Sequence, residues 1–591
     1  MEEPTAGLIR MGDLITLSIY LVGTLGLGLW FGIKTKTTEG YFLGSRKMPG
    51  WAVGISLLGT AISSITFLAY PGSAYDGNFS RIVPGLAFPI GAMAAIFIFV
   101  PFYRKTGFVS AYTYFEHRFG LWGRVYVCAL FSLGQIWRMG LILYLLSMAI
   151  KSMHPELDLQ MVILIIGTFV TIYTVLGGIE AVIWTDVFQT LCLILGGFAV
   201  IVVAFMSIDG GASTVFSMGA ANGKFSLIGE QATSALDLSL ARDTLLMLIL
   251  VGSIGSICEF ALDQTHIQRY CAASTDAGAR RAVWIGAMGC VPVWLLFMFV
   301  GTCLWVFYQT HPGAMHREML ADEVFPYFIL TQLPNGMGGV VIAGVLAAAM
   351  SSIDSSMSGM TSVVTEDIYK RILFRGREDS HYLKAAKVIA TMSGVLMIVV
   401  AAGLTLLRQE AILDLCFILG SVLGAGFGGL FMIGFFTMRT NSFGAAIGVI
   451  LSTLVTFGMT FTEAKAMLYD SRVSWMIEYA SESGEVDTEA IKAEIVAKAK
   501  AQGITLKLAD IQKAEKERVR DFLSGRIVEE LGAQPPHLGD VMGVHPFAMG
   551  LISNLFAFVF GYLFSFLRPP KPTEELMGYT WWTRHVRRSE T

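Results

Sequence analysis

Residues 351–358, SSIDSSMS, place five serines and one aspartate in eight positions. On a 3.6-residue period Ser351, Asp354, Ser355 and Ser358 share one helix face, with Ser352 and Ser356 beside them. The preceding run, 343–350, is small and apolar, and the segment leaves through Asp367, Lys370 and Arg371. Mostly neutral oxygen ligands on a helix inside a bilayer suit a weakly held hard cation. Serines on a small-residue helix also serve as interhelical hydrogen-bonders. A carboxylate is different: at a helix centre it costs about 2.5–3.5 kcal/mol, so Asp354 must face protein, ion or water.

Two further segments carry chemistry. In 51–78, Gly54, Gly59, Thr60, Ser63, Ser64 and Thr66 fall mid-run, and Pro71-Gly72 is expected to interrupt its end. Glycine beside hydroxyls permits local unwinding, which frees backbone carbonyls to coordinate an ion; close helix packing is the alternative use of the same residues. In 121–150, Gln135 and Arg138 lie near the midpoint. An arginine there marks an anion site, a structural ion pair or a water pathway, with Glu259, Asp263 and Asp186 as candidate partners.

The elements that hold these residues are membrane spans. Of 591 residues 54% are hydrophobic and 15% charged, so the chain is expected to be an all-α polytopic membrane protein. Thirteen apolar runs are legible, near 12–33, 51–72, 82–103, 121–150, 160–177, 180–206, 243–263, 282–307, 338–366, 385–406, 411–437, 441–461 and 545–567. With the N-terminus outside, inside loops hold 23 Lys and Arg and short outside loops seven, which predicts N-out, C-in. Residues 463–544 form a polar insert outside the cell, with helices expected over 487–501, capped by Asp487 or Thr488, and 508–531. The seven cysteines lie in or beside apolar runs without metal spacing and read as free thiols. The acidic start MEEPTAGLIRMGD lacks a basic n-region, so no cleaved signal peptide is expected. The nine histidines are scattered and no HExxH spacing occurs, so an enzyme is not expected. The charge sits in loops, and a net −3 points to no nucleic acid.

Several motifs together resemble the sodium:solute symporter family, which includes sodium-coupled glucose, proline, monocarboxylate and sialic-acid carriers. They are Tyr41-Phe42-Leu43-Gly44 with Arg46, Ser63 to Phe67, Gly177 to Asp186, Gln264 with Gln268-Arg269-Tyr270, Ala347 to Ser352, and Asp367-Ile368-Tyr369. The resemblance covers nearly all of the chain except 463–544. It implies thirteen transmembrane helices, with two inverted five-helix repeats of the leucine-transporter type at 51–206 and 243–437, joined by an external loop, 207–242. Residues 1–50 then supply an outer N-terminus, a first flanking helix and an inner loop. A flanking helix, 438–462, the insert, a last span, 545–567, and a basic inner tail, 568–591, complete the chain.

Carried onto matching positions, the family's principal sodium site implies the carbonyls of Gly59, Ile62 and Ala348 and the hydroxyls of Ser351 and Ser352. Gly59 stands where alanine is common, a change that a backbone ligand survives. A second sodium site would use Ser351, Asp186, Asp354 and Ser355; Asp354 stands where the nearest pattern has serine, and an added carboxylate can hold a cation or a proton. The sialic-acid branch is nearest, and there an arginine at the place of Arg138 grips the substrate carboxylate. Ser63, Thr66 and Gln135 would serve the rest of a hydroxylated solute. Ala61 and Gly85 stand where that branch has threonine and glutamine, and Arg81 is a further difference. The expectation is therefore Na⁺-coupled symport of a small organic acid, with one or two sodium ions, in a plasma membrane, bacterial inner membrane by preference. A neutral sugar or polyol carrier, with Arg138 paired to Glu259, and a proton-coupled carrier are the alternatives.

Overall fold

The computed structural model describes residues 10–153, 156–228, 244–315, 321–406, 426–482, 486–501 and 549–583, with scattered positions between. Among them the only non-helical pairing is one isolated bridge, Met48 to Ala273. Among the described residues nine helices are long and apolar enough to cross a membrane, and each of two bent helix pairs qualifies as one further span. Residues 411–418, 420, 421 and 425 of the expected 411–437 span, and most of the 508–531 helix, lie outside the described residues.

The helices used below are α1 (Met11–Lys34), α2 (Gly50–Ala61), α3 (Ser64–Asp76), α4 (Leu121–Met153), α5 (Leu159–Ser207), α6 (Leu245–Leu262) and α7 (Gln264–Ala272). They continue with α8 (Asp276–Thr310), α9 (Met337–Val363), α10 (Phe427–Phe436), α11 (Ser442–Glu482), α12 (Thr488–Ala501) and α13 (Met549–Phe564). The expected spans 160–177 and 180–206 are the two arms of α5. Its helical path breaks at Gly178, φ 63° and ψ −170°, where a Cβ would come within 2.8 Å of the Tyr41 ring. Only glycine suits that backbone in that space.

The serine helix α9 is the axis of the fold. Every residue from 341 to 363 is buried, as expected of a helix surrounded by others. Its closest neighbours are α5, α4 and α1. At its N-terminus Asp13 of α1 accepts from the backbone N–H groups of Gly336 (2.9 Å) and Gly339 (2.7 Å), which satisfies donors the helix cannot satisfy itself. At its far end the helix loosens into π-type turns, Val364–Leu373, whose Asp367 is paired with Arg124 of α4.

Two spans are broken rather than bent at a proline. Between α2 and α3 the chain turns by 55°, and the extended residues are Ile62 and Ser63. Pro71 does not interrupt the span: it lies inside α3, which runs on to Asp76, a correction to the expected break. The second break, 58° between α6 and α7, falls at Asp263 and was not expected from the sequence. Asp263 caps α7, accepting from Thr265 N (2.7 Å) and Thr265 Oγ1 (2.6 Å).

The last flanking helix also departs from expectation. α11 continues twenty residues past its apolar part without interruption. Its continuation buries Tyr469, Val473, Met476, Ile477 and Ala480 with Val486, Val519, Leu523 and Ile527 in a small core separate from the main one. That i, i+4, i+7, i+8 pattern holds it helical outside the membrane. Asp487 caps α12, accepting from Ala490 N at 3.0 Å.

Candidate ion and solute site

The break between α2 and α3 lies directly against the serine face of α9. Ser351 Oγ is 3.0 Å from the carbonyl oxygen of Gly59 and 3.2 Å from that of Ala348. Ser352 Oγ is 3.3 Å from the carbonyl oxygens of both Ile62 and Ala348. The five oxygens expected to bind sodium therefore form one cluster. Oxygens about 2.3–2.6 Å from a hard cation and at right angles to one another are separated by about 3.3–3.7 Å. The observed spacings, 3.0–3.3 Å, lie at or just below the lower edge of that range, as hydroxyl-to-carbonyl hydrogen bonds would draw them. The residues fit a hard monovalent cation bound by neutral oxygens. Gly59 lies close to α5: a Cβ there would meet Thr190 Oγ1 at 2.6 Å.

One turn further along α9 the structure brings Asp186, Asp354 and Ser355 together around a cation already present. Arg269 of α7, wholly buried, reaches Asp186 Oδ2 at 3.1 Å, Ser56 Oγ at 2.8 Å and the Thr265 carbonyl at 2.9 Å, and it also donates to Ser355. Ser56 in turn donates to Asp186 at 2.5 Å, and Thr60 meets Ser355 at 3.0 Å. Asp354 accepts from Tyr173 at 3.0 Å. Of the two carboxylates only Asp186 pairs with the guanidinium among the described residues, and Asp186 Oδ1 is buried without a hydrogen bond. Sequence reasoning missed Arg269, Ser56 and Tyr173 as site residues. Arg269 follows an apolar run as a loop cation would, but it belongs to a buried pair.

The residues expected to bind solute lie on the α2–α3 break, on α3 and on α4. Ser63 is in the extended break and Thr66 is buried on α3, which packs against α4. Gln135 and Arg138 lie one turn apart on α4; Gln135 is buried and its Oε1 has no partner. Arg138 makes no ion pair or hydrogen bond among the described residues, although its charge is felt at Glu259 and His266. Two of its three candidate partners are engaged elsewhere, Asp263 capping α7 and Asp186 holding Arg269, while Glu259 lies 3.2 Å from His266 Nε2 without a hydrogen bond. The pair of Arg138 with Glu259, the alternative reading, is not formed among the described residues.

A family model described as the sodium:solute symporter family matches residues 41–452. The chain belongs to the sodium:solute symporter family. Family membership makes this symporter a transporter rather than an enzyme. It is 33% identical over 436 residues to the sodium/sialic acid symporter SiaT of Proteus mirabilis, covering 74% of this chain and 86% of that protein. The sodium/sialic acid symporter NanT of Aliivibrio fischeri is 31% identical over 457 residues, 76% of this chain and 88% of its own. A solved structure of a Na⁺-coupled sialic acid symporter, substrate-bound and outward-open, superimposes with a TM-score of 0.72 at 26% identity, covering 95% of this chain and 99% of that one. The symporter's insert core and its α11 extension lie beyond the family match, which ends at residue 452.

Proposed function

We propose that the chain carries out Na⁺-coupled symport of a small organic carboxylate across a plasma membrane by alternating access. The observation that carries the solute reading is Arg138: a guanidinium on α4 that forms no ion pair with Glu259, Asp263 or Asp186, two of which are held by other groups. A planar fork of donors in that setting suits a carboxylate, held in two hydrogen bonds. Its relatives named for sialic acid support a sugar acid, and a monocarboxylate is the simpler case; a sodium-coupled monocarboxylate transporter of Homo sapiens is 26% identical over 76% of this chain. Gln135, Ser63 and Thr66 would take the hydroxyls.

Sodium would bind Gly59, Ile62, Ala348, Ser351 and Ser352, tying the α2–α3 break to α9. A second ion would lie toward Asp186, Asp354 and Ser355, where one carboxylate exceeds the guanidinium. Thirteen spans, inverted repeats at 51–206 and 243–437, an outer N-terminus and an inner C-terminus complete the reading; a broken helix opening each half supports it. Each inward Na⁺ gains about 2.3 kcal/mol per 100 mV, close to a fifty-fold concentration ratio. Coupling must be reciprocal, so Na⁺ and solute tighten each other's binding by the same factor.

The test is thermal unfolding of purified protein with and without Na⁺ against sugars, sugar acids, monocarboxylates and amino acids, beside Arg138→Ala. An acid that stabilises only the wild type, and only with Na⁺, supports the proposal. A neutral sugar that stabilises both proteins overturns the carboxylate reading. Stabilisation that follows pH while choline replaces Na⁺ without effect overturns sodium coupling.

A further inference from the structure

Away from the transport site, α10 and α13 lie side by side, with α6 as a third wall. Gly429 lets the first two approach: its N–H donates to Asn554 Oδ1 at 2.8 Å, and a Cβ there would come within 2.2 Å of the Asn554 carbonyl oxygen. Between the three helices is a cavity of about 520 Å³, bounded by Ile254, Gly255, Cys258, Met432, Leu551 and Phe558. Its one polar side chain, Asn554, is satisfied, since Nδ2 donates to the Gly550 carbonyl at 2.8 Å. An apolar slot of that size, within the roughly 300–1,000 Å³ of ligand pockets, takes an apolar occupant.

Phe558 also bounds a second cavity, of about 420 Å³, toward the end of α10, with Arg439, Tyr562 and Trp582 on its walls. Arg439 is also linked to Arg568 through the latter's backbone: its Nη1 donates to the Arg568 carbonyl at 2.9 Å. Arg439 stacks on Phe566 at 4.8 Å, while Arg568 stacks on Phe443 at 4.0 Å. Neither has a carboxylate partner among the described residues. Trp582 is fixed by a 2.9 Å bond from Nε1 to the Phe436 carbonyl yet stays 65% exposed, as an aromatic at a membrane–water interface does.

The geometry points to a bound anionic glycerophospholipid: its phosphate at Arg439 and Arg568, an acyl chain in the slot behind Phe558. Charge complementarity decides the headgroup: Arg439 and Arg568 bring two positive charges to this end of α10, with no carboxylate partner among the described residues. The slot decides that the anion carries a chain. Such a lipid would pin the last helix, α13, to α10, independently of the solute or ion proposed above.

The experiment is thermal unfolding of delipidated full-length protein in detergent, with added phosphatidylglycerol, phosphatidylcholine of the same acyl chains, or inorganic phosphate. Phosphatidylglycerol is expected to raise the midpoint by several degrees more than phosphatidylcholine, and phosphate alone to leave it unchanged. Arg439→Gln with Arg568→Gln should reduce the phosphatidylglycerol effect to the phosphatidylcholine level, while the paired lysine variant keeps the preference. Gly255→Leu should abolish both lipid effects; a Cβ at Gly255 meets nothing within 4 Å, so the substitution fills the slot without disturbing the fold. Equal effects of the two lipids, a preference that survives the glutamine pair, stabilisation by phosphate alone, or lipid effects unchanged by Gly255→Leu would each overturn the proposal. Each variant is compared with its own midpoint without additive, so a loss of intrinsic stability is not mistaken for lost binding.

Discussion

Ser351 Oγ stands 3.0 Å from the carbonyl oxygen of Gly59, across 292 residues of sequence. The contact joins the broken end of α2 to the middle of α9. An intact helix would have used the Gly59 carbonyl in its own hydrogen-bond ladder. The break at Ile62 and Ser63 frees it, so local unwinding and the site are one feature.

The buried pair beside that cluster should be the more fragile part. Arg269→Ala leaves Asp186 charged, enclosed and without its cation, at an expected cost of about 3–5 kcal/mol. Replacing both residues by leucine should recover much of this. Chemical unfolding of the three proteins checks it; a loss below about 1 kcal/mol for Arg269→Ala would mean that solvent or another group compensates Asp186.

These two sites were not equally legible in the sequence. Hydroxyls at i, i+3 and i+4 on an apolar helix marked Ser351 to Ser358 as a face, and Gly177-Gly178 marked the division of α5. The break at Asp263 was hidden because its cause is a single capping aspartate at the end of an apolar run. Arg269 was hidden because its partner lies 83 residues away, and a cation after a hydrophobic span reads as a loop charge until packing encloses it. The unbroken run of α11 past residue 462 was missed because a polar composition was taken for a boundary, while its apolar stripe continued at helical spacing.

Arg138 should behave in the opposite way to Arg269. With no ion pair to lose, Arg138→Gln is expected to change stability by less than about 1 kcal/mol. Solute affinity should fall on the order of a hundredfold, since two charge-assisted hydrogen bonds are worth about 1.5–3 kcal/mol each. Arg138→Lys keeps the charge without the fork and should fall between. Titration calorimetry with the acid found by the panel measures all three, and a Gln variant that binds normally would remove Arg138 from the solute site.

Gly59→Ala should be tolerated at the ion site, because the ligand there is a carbonyl. The new methyl would nonetheless press on Thr190 Oγ1, 2.6 Å away, which makes no hydrogen bond. An expected cost of about 1–2 kcal/mol should largely vanish with Thr190→Ala added, a coupling that a double-mutant cycle reads directly. Additive effects would show that the two residues do not touch.

Outside the membrane spans, Glu116 ties the short helix Thr113–Phe119 before α4 to the π-type turns that follow the serine helix. It accepts from Arg124 at 2.6 Å and Arg371 at 2.5 Å. Burial alone would raise its pKa, but the hydrogen bonds from Arg371 and Arg124 outweigh it and hold the carboxyl below its ordinary value. A depressed carboxylate stabilises the fold above its unfolded-state value and loses that contribution as pH falls through the lower folded value. Thermal midpoints should therefore drop as pH falls below about 4, where an unperturbed glutamate protonates. Glu116→Gln should flatten part of that drop while lowering the midpoint at neutral pH; an unchanged profile would show that the pair contributes nothing.

The central claim is that Ser351 and Ser352 hold sodium between α9 and the α2–α3 break. It is tested most directly by the sodium concentration that half-saturates thermal stabilisation, without solute, for the wild type and for Ser351→Ala with Ser352→Ala. Losing two of five oxygen ligands should raise that concentration by about tenfold or more, at a cost of about 0.5–1.5 kcal/mol per contact, while potassium stabilises neither protein. A double variant that responds to sodium as the wild type does would place the ion elsewhere.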